Sequence, residues 1–162
     1  MSDSLKVEVT NCWMDVANSG GAVGFPFTPV GYDTVTEAVH ELACEVEQGG
    51  VIFIGAHMDE VLVGWVTLRL NRSKLTSHWA AVERLQSHPP RRGIGVGAGL
   101  LTCAVNFGRQ ISLQHLTLVL RGGEKLEPFY EKHGWKEFGR HQNALLLADG
   151  DDRDEVHMAL WL

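Results

Sequence analysis

The sequence has 162 residues, 44% of them hydrophobic, and a formal net charge of −6. This length supports one domain with a full core, and the composition excludes a disordered chain. The acidic balance, with a pI near 5.7, argues against general nucleic-acid binding, and no apolar run approaches the roughly 20 residues that span a membrane.

The N-terminus and the cysteines indicate where such a protein works. No basic segment followed by an apolar block opens the chain, so we expect no signal peptide. The three cysteines, Cys12, Cys44 and Cys103, are widely spaced among apolar neighbours. That pattern favours free thiols over disulfides or a metal site. We therefore expect a cytoplasmic protein that holds no metal.

The first half of the chain predicts a strand, two helices and then three strands. Period-two alternation indicates a short edge strand, and Gly and Pro residues indicate an ordered loop. Val35, Val39, Leu42 and Val46 share one face of an amphipathic helix. In chain order the elements are a strand at 6–10, a helix at 11–18, a loop at 20–31, a helix at 33–48, and strands at 51–54, 61–70 and 79–87.

The second half predicts alternating helices and strands. His88-Pro89-Pro90 ends the preceding strand, because proline cannot donate to a strand ladder. The following elements are a helix at 96–110, a strand at 116–120, a helix at 124–133, and strands at 135–138 and 156–161 that flank an acidic loop at 149–155. This order predicts a single mixed α/β domain over residues 1–162, built around one central sheet.

The most informative stretch is residues 91–101, where two arginines and four alternating glycines precede an apolar, helix-forming run. Glycine lets backbone N–H groups approach a ligand closely, and the helix start adds unpaired donors and partial positive charge. Together these features predict a phosphate cradle. The plainer alternative is a glycine-rich surface turn.

Two familiar phosphate-binding motifs differ from this stretch. A P-loop requires Gly-Lys-Ser/Thr, whereas Ala98-Gly99-Leu100 supplies neither the lysine nor the hydroxyl. A dinucleotide fingerprint fits the spacing of Gly93, Gly95 and Ala98, but no acidic residue ends a strand about 20 residues later. Nucleotide or NAD binding therefore stays open only as a minor alternative.

Two motifs resemble the GNAT superfamily of acetyl-CoA-dependent N-acetyltransferases. Arg92-Gly93-Ile94-Gly95-Val96-Gly97 matches the Q/R-x-x-G-x-G/A phosphate-binding motif of that superfamily at every fixed position, and Pro128-Phe129-Tyr130-Glu131-Lys132-His133-Gly134-Trp135 resembles its F-Y-x-x-x-G-F/W segment. The resemblance implies an α/β GNAT fold, a mixed and mostly antiparallel central sheet flanked by about four helices. Gly21-Ala22-Val23-Gly24-Phe25 and His78-Trp79-Ala80-Ala81-Val82 also look like two segments of the tabtoxin-resistance-like branch.

This resemblance implies a reaction and a binding mode. Acetyl-CoA is the implied co-substrate and a primary amine of a small molecule the implied acceptor, with a resistance or detoxification role by analogy with the branch. The pyrophosphate would lie on the glycine-loop N–H groups, and the pantetheine arm would add to the preceding strand. The implied acetyl-CoA-binding residues are Leu85, Gln86, Ser87, Arg91, Arg92, Gly93, Ile94, Gly95, Val96, Gly97 and Ala98.

The catalytic residues follow only in part. The resemblance implies Tyr130 as the general acid that protonates the departing thiolate, the alternative being a packed aromatic residue. Two carboxylates of the branch fall at Ala81 and Val119, so neither is present. Glu83 lies two residues beyond Ala81, on the same face of its strand, and is a candidate base. Its alternative role is a surface carboxylate paired with Arg84 or another cation.

Other assignments remain open. His78 is a second candidate base, because its ordinary pKa suits proton transfer near neutral pH, and an amine that is already partly neutral needs no strong base. The missing carboxylates also support a different class, an acetyl-CoA-binding sensor or interaction module. Candidate acceptor-binding residues are Phe25, Trp79 and Glu83, and Trp79 with Trp161 would support a homodimer.

Overall fold

The computed structural model describes residues 1–21, 24–25, 27–148 and 150–162, so the branch-like residues Ala22 and Val23 and the acidic Asp149 lie outside the described residues. The helices are α1 Asp3–Asn18, α2 Tyr32–Glu47, α3 Val96–Gln110 and α4 Glu127–Lys132, with a 3₁₀ turn at Pro89–Arg91. The strands are β1 Val51–Met58, β2 Val61–Leu70, β3 Trp79–Ser87, β4 His115–Arg121, β5 Lys136–Ala148 and β6 Asp151–Trp161.

The predicted edge strand at 6–10 is wrong, since these residues belong to α1. The N-cap Ser2 accepts a hydrogen bond from the Leu5 backbone N–H at 3.2 Å, which begins the helix. Alternation would place Val7 and Val9 on one buried face, yet Val7 is 49% exposed and Val9 is fully buried. Val9 instead continues with Cys12, Trp13 and Val16 at helical spacing, and this stripe packs into the core.

The last two strands are longer than predicted, and the predicted acidic loop is wrong over residues 151–155. Asp151–Trp161 is one strand, paired antiparallel with Lys136–Ala148. The acidic side chains are tolerated in a strand because arginines pair with them. Arg140 Nη1 lies 3.0 Å from Asp154, and Arg153 pairs with Asp151. Helix α4, by contrast, begins three residues after its predicted start at Glu124, with Pro128 in its first turn.

The central sheet has the order β1-β2-β3-β4-β6-β5, and only β3 and β4 are parallel neighbours. Their pairing covers just Trp79 with His115 through Ala81 with Thr117. Beyond these pairs β3 continues to Ser87 and β4 to Arg121 without pairing to each other. The sheet therefore opens between its two central strands, which creates a cleft in its middle. The mixed, mostly antiparallel sheet with four helices confirms the predicted fold class.

Two hydrophobic cores cover the two faces of the sheet. One core joins α3 to side chains such as Leu68, Leu116 and Met158, all fully buried. The other core packs α1 and α2 against β1 and β2 around Trp65, also fully buried. The first core also contains Ala80 and Val82 of β3 and Leu118 and Leu120 of β4, so it anchors the two strands that border the cleft.

Candidate functional site

The glycine loop lies at the mouth of the cleft, between the end of β3 and the start of α3. Gly93 and Gly95 have φ of 80° and 94°, a backbone conformation that favours glycine. Gly95 is the N-cap of α3 and supplies no side chain to bond the first-turn N–H groups. These donors therefore lack intrahelical acceptors and face open space, as a Cβ built on Gly93 or Gly95 would meet no atom within 4 Å.

The two arginines of the loop have different surroundings. The Arg92 guanidinium donates from Nη2 to the Ser19 hydroxyl at 2.9 Å and from Nε to the Ser87 carbonyl at 3.5 Å. These bonds tie the loop to the C-terminal end of α1 and to β3. Arg91 is exposed, and within the described ranges no carboxylate lies in ion-pair distance of it. Arg91 is therefore available to an anionic ligand.

A first cavity of about 540 Å³ occupies the cleft beside this loop. It brings together ten of the eleven residues that the resemblance implies for acetyl-CoA: Leu85, Gln86, Ser87, Arg91, Arg92, Gly93, Gly95, Val96, Gly97 and Ala98. Ile94 is the exception, because its side chain is 59% exposed and does not line the cavity. The opposite wall comes from residues that sequence reasoning did not assign: Val16, Gly20, Gly21, Glu124, Leu126 and Phe129.

Gln86 carries an unpartnered amide in the wall of the first cavity. The residue is 4% exposed, and neither its side-chain oxygen nor its nitrogen has a hydrogen-bond partner in the described part of the chain. A buried, unsatisfied amide costs about 1–3 kcal/mol. Because both amide atoms are buried, this unsatisfied group lies beneath the cavity surface and is not open to a ligand in the cavity.

The free edge of β3 forms another part of this wall. A register shift places both Arg84 and Leu85 opposite Val66, a β-bulge, and Arg84 takes φ of 54°. Since pairing with β4 ends at Ala81, the edge beyond that residue has no partner among the described strands. Such an edge can hydrogen-bond an extended ligand arm in the manner of an added strand.

Tyr130 lies where the first cavity meets a second one. Its side chain is 8% exposed and packs edge-on against Phe129 and Trp135, with ring centroids 5.1 and 6.0 Å away. Burial raises the pKa of the Tyr130 hydroxyl to about 12. The hydroxyl is therefore protonated at neutral pH and can donate a proton or a hydrogen bond.

The second cavity, of about 290 Å³, lies on the far side of Tyr130 between the diverging strands. Ala81, Glu83 and Arg84 line it from β3, and Thr117, Val119 and Arg121 line it from β4. Leu85, Leu126 and Tyr130 line both cavities. A ligand in the first cavity and a smaller one in the second would thus meet at Tyr130.

Glu83 belongs to a charged network as well as to the second cavity. Arg69 Nε donates to both Glu83 oxygens, at 2.9 and 3.1 Å, and the other nitrogens of Arg69 bond Glu45 at 2.7 and 2.9 Å. Arg84 Nη1 lies 3.5 Å from Glu83 Oε2. The Glu83 carboxylate is therefore paired with a cation, which is one of the two roles that the sequence left open. The sequence alone could not predict that this cation is Arg69 of β2.

Replacing Arg69 by methionine should destabilise the protein at neutral pH and much less in acid. The hydrogen bond from Arg69 is the main cause that lowers the pKa of Glu45 below its ordinary value of 4.5. The Arg69–Glu45 pair therefore stabilises the protein above pH 4.5. This stabilisation is lost as the pH falls through the lowered pKa of Glu45. Because these side chains are partly exposed, we expect the substitution to lower the free energy of unfolding at neutral pH by about 1 kcal/mol, as measured in urea.

The control for this measurement is Arg109→Met, on the exposed surface of α3, which should change the unfolding free energy little. An Arg69→Met effect of the same size at neutral pH and well below pH 4.5 would contradict the electrostatic explanation.

His78 and Trp79 lie at the other end of β3, away from both cavities. His78 packs against His115 at 5.6 Å, and Trp79 stacks on His115, which stacks in turn on Trp161. Neither predicted residue lines the first or the second cavity in the described chain. The structure therefore does not bring His78 near Tyr130. Trp161 is 64% exposed, and a dimer contact through it stays a prediction.

Phe25 lines a third, neighbouring cavity together with Phe27, Thr28 and Arg121. Its ring packs on Trp13 at 5.1 Å, so it also contributes to the core beneath α1. Sequence reasoning missed Arg121, which lines both the second and the third cavity. The feature that could have identified Arg121 is its position at the carboxyl end of β4, beside the cleft.

Two further findings concern metal binding and membrane-spanning helices. Across residues 1–21, 24–25, 27–148 and 150–162, no group of three or more His, Cys, Asp or Glu side chains is arranged to hold a metal ion. No helix of the described chain has both the length and the apolar character needed to cross a membrane.

Sequence comparison identifies one protein family. Residues 22–135 match the model of the acetyltransferase (GNAT) family. No curated protein is detectably similar in sequence to the chain. The narrower likeness to the tabtoxin-resistance-like branch receives no support from these findings and stays a prediction.

Solved structures show the same fold at low sequence identity. A ribosomal-protein-alanine N-acetyltransferase from Brucella melitensis superimposes with a TM-score of 0.83 at 16% identity, covering 100% of this chain and 97% of that one. A protein from Salmonella typhimurium, solved with acetyl-CoA, gives 0.78 at 13% identity over 100% and 91%. An aminoglycoside 6'-N-acetyltransferase complexed with coenzyme A gives 0.75 at 18% identity over 99% and 92%.

Proposed function

Because this chain belongs to the acetyltransferase (GNAT) family, we propose that it transfers the acetyl group of acetyl-CoA to a primary amine of a small molecule. The observation that carries the proposal is the position of Tyr130 at the junction of the two cavities. The first cavity has the size and the anion-binding loop for a long phosphorylated donor. The second is smaller and fits an acceptor. A resistance or detoxification role is proposed only through the branch likeness.

The first cavity suits acetyl-CoA on two features of this chain. The open N–H donors of the glycine loop, with Arg91 beside them, would hold the pyrophosphate. The unpaired edge of β3 would hydrogen-bond the amides of the extended arm. Acetyl-CoA supplies the acetyl group and a thiolate leaving group.

The chain's own residues would then move the protons. Tyr130 is the proposed general acid, since its buried hydroxyl remains protonated and lies beside both cavities. Glu83 is the proposed base, receiving the proton of the acceptor ammonium directly or through water. His78 is set aside, because no feature of the fold brings it near Tyr130.

Calorimetric titration with acetyl-CoA, followed by thiol release with a panel of small amines, tests this function. We expect acetyl-CoA binding together with amine-dependent release of CoA. Failure to bind acetyl-CoA would contradict the proposed donor site.

Glu83→Gln should lower kcat by roughly a hundredfold and shift the pH–rate profile. The amide cannot accept the ammonium proton, but it can still accept a hydrogen bond from Arg69. Thiol release measured across the pH range checks both effects. An unchanged profile would remove Glu83 from the mechanism and indicate an acceptor that needs no base.

A second candidate is an acetyl-CoA-binding sensor or interaction module with little catalysis. The observation that favours it is the engagement of both Glu83 oxygens by Arg69, together with Ala81 and Val119 at the carboxylate positions of the branch. Acetyl-CoA binding without CoA release from any amine would support this reading over the transferase.

A further inference from the structure

Arg121 is a half-buried guanidinium at the end of β4, lining both the second and the third cavity. Three other arginines of the central sheet have carboxylate partners. Arg69 holds Glu83 and Glu45, Arg140 holds Glu137, and Arg153 holds Asp151. For Arg121, no side-chain hydrogen bond or ion pair occurs in the described part of the chain. A partly buried charge without a partner is unusual and points to a ligand.

Two acidic residues of β6, Glu155 and Asp151, do not form an ion pair with Arg121. Glu155 lies opposite it in the β4–β6 register, but its carboxylate pairs with His157 at 3.6 Å. The pKa of Asp151 is lowered first by its hydrogen bond from Arg153, and Arg121 adds only a weaker, longer-range effect. Both carboxylates therefore leave the Arg121 donors free.

The second cavity consequently has a positive local charge, although the chain is acidic overall. Its charged lining is Glu83, Arg84 and Arg121. The Glu83 carboxylate is already shared with Arg69 and lies near Arg84. Ala81 and Val119 add no charge at positions that also face this cavity. The cavity therefore disfavours polycationic acceptors, since its described lining offers no free carboxylate to several ammonium groups.

We propose that the acceptor carries a carboxylate, or another oxyanion, beside its amine, and that Arg121 binds this anionic group. This inference rests on the proposed acetyltransferase function. A guanidinium fork binds a carboxylate through two parallel hydrogen bonds. Arg121 would hold one end of the acceptor in the second cavity, and the amine at the other end would reach Tyr130 and Glu83, which line the same space. Amino acids are the simplest acceptors of this class.

Matched acceptors test the inference on the full chain. The panel consists of L-alanine, L-phenylalanine and L-lysine, each with its carboxamide and its decarboxylated amine, assayed by CoA release. We expect kcat/KM for the acids to exceed that for the carboxamides by roughly ten- to a hundredfold. Arg121→Gln should abolish this ratio and leave the KM for acetyl-CoA unchanged. Arg121→Lys should retain part of it, and Arg109→Gln, on exposed α3 surface, should retain all of it.

A second readout needs no turnover. Together with CoA, the N-acetylated acids should raise the Tm of the wild-type protein more than their carboxamides do, and Arg121→Gln should remove the difference. Equal kcat/KM or equal Tm shifts for acids and carboxamides would overturn the inference, as would a preference that survives in Arg121→Gln. CoA release with the carboxamides and the decarboxylated amines, but not with the acids, would overturn the inference about Arg121. That result would leave the proposed acetyltransferase function standing. Absence of acetyl-CoA binding would instead contradict the proposed function.

Discussion

Gly95→Glu is expected to weaken acetyl-CoA binding at least about a hundredfold, equivalent to roughly 3 kcal/mol. The Gly95 Cα borders open space at the start of α3, where the first-turn N–H donors face the first cavity. A glutamate there would fill that space and place a negative charge where the pyrophosphate is proposed to lie. Titration calorimetry with acetyl-CoA measures the loss directly.

The matched control separates binding from backbone strain. Gly95 has φ of 94° and Gly49 has φ of 70°, and a Cβ at either position meets no atom within 4 Å. Gly49→Glu therefore carries a similar conformational cost, about 1–2 kcal/mol, at the end of α2 rather than at the loop. We expect comparable losses of stability in both variants and a loss of acetyl-CoA affinity only in Gly95→Glu. Unchanged affinity in Gly95→Glu would refute the assignment of the glycine loop.

Tyr130→Phe is expected to lower kcat by roughly a hundredfold, the lower end of the usual contribution of a general acid. The substitution keeps the ring that packs against Phe129 and Trp135 and removes only the hydroxyl. The Kd for acetyl-CoA should change little, because the glycine loop and the β3 edge are untouched. Thiol release under saturating amine measures the rate, and calorimetry measures the affinity.

The pH profile and a second tyrosine sharpen this test. Since burial raises the pKa of Tyr130 to about 12, the acid is in its protonated, active form throughout the neutral and mildly alkaline range. The wild-type rate should therefore show no alkaline loss attributable to Tyr130 there. Tyr32, the other tyrosine of the chain, is 46% exposed at the start of α2. Tyr32→Phe should be silent, and wild-type turnover in Tyr130→Phe would remove Tyr130 from the mechanism.

Contiguous patterns were the most predictable part of the molecule. Residues 96–110 form a helix directly after the glycines, as predicted, because the turn and the helix start depend on neighbouring residues. The edge strand predicted at 6–10 failed because a short alternating run also fits a helix whose buried stripe continues through Trp13. The prediction for the start of β6 failed for a different reason. Its acidic residues read as a loop until Arg140 and Arg153 supply their charge partners.

The candidate site was predictable where its residues belong to one motif, and otherwise not. Ten of eleven expected donor-site residues line one cavity because they follow each other along β3, the loop and the start of α3. His78 and Glu83 are only five residues apart in sequence. Strand geometry nevertheless separates them, so that Glu83 lines the second cavity and His78 packs on His115 at the other end of the strand.

The sequence by itself determined the local parts of this protein: the glycine loop with its helix, the order of most strands, and the motifs that indicate an acetyltransferase. Only the tertiary structure decided which side chains share a cavity. Tyr130 from α4 joins the two cavities, and Arg69 from β2 holds Glu83 on β3. Beside them, Arg121 has no ion-pair partner among the residues that the structure describes. These contacts join residues far apart in the chain. They arise because β3 and β4 diverge after Ala81, which no local pattern records.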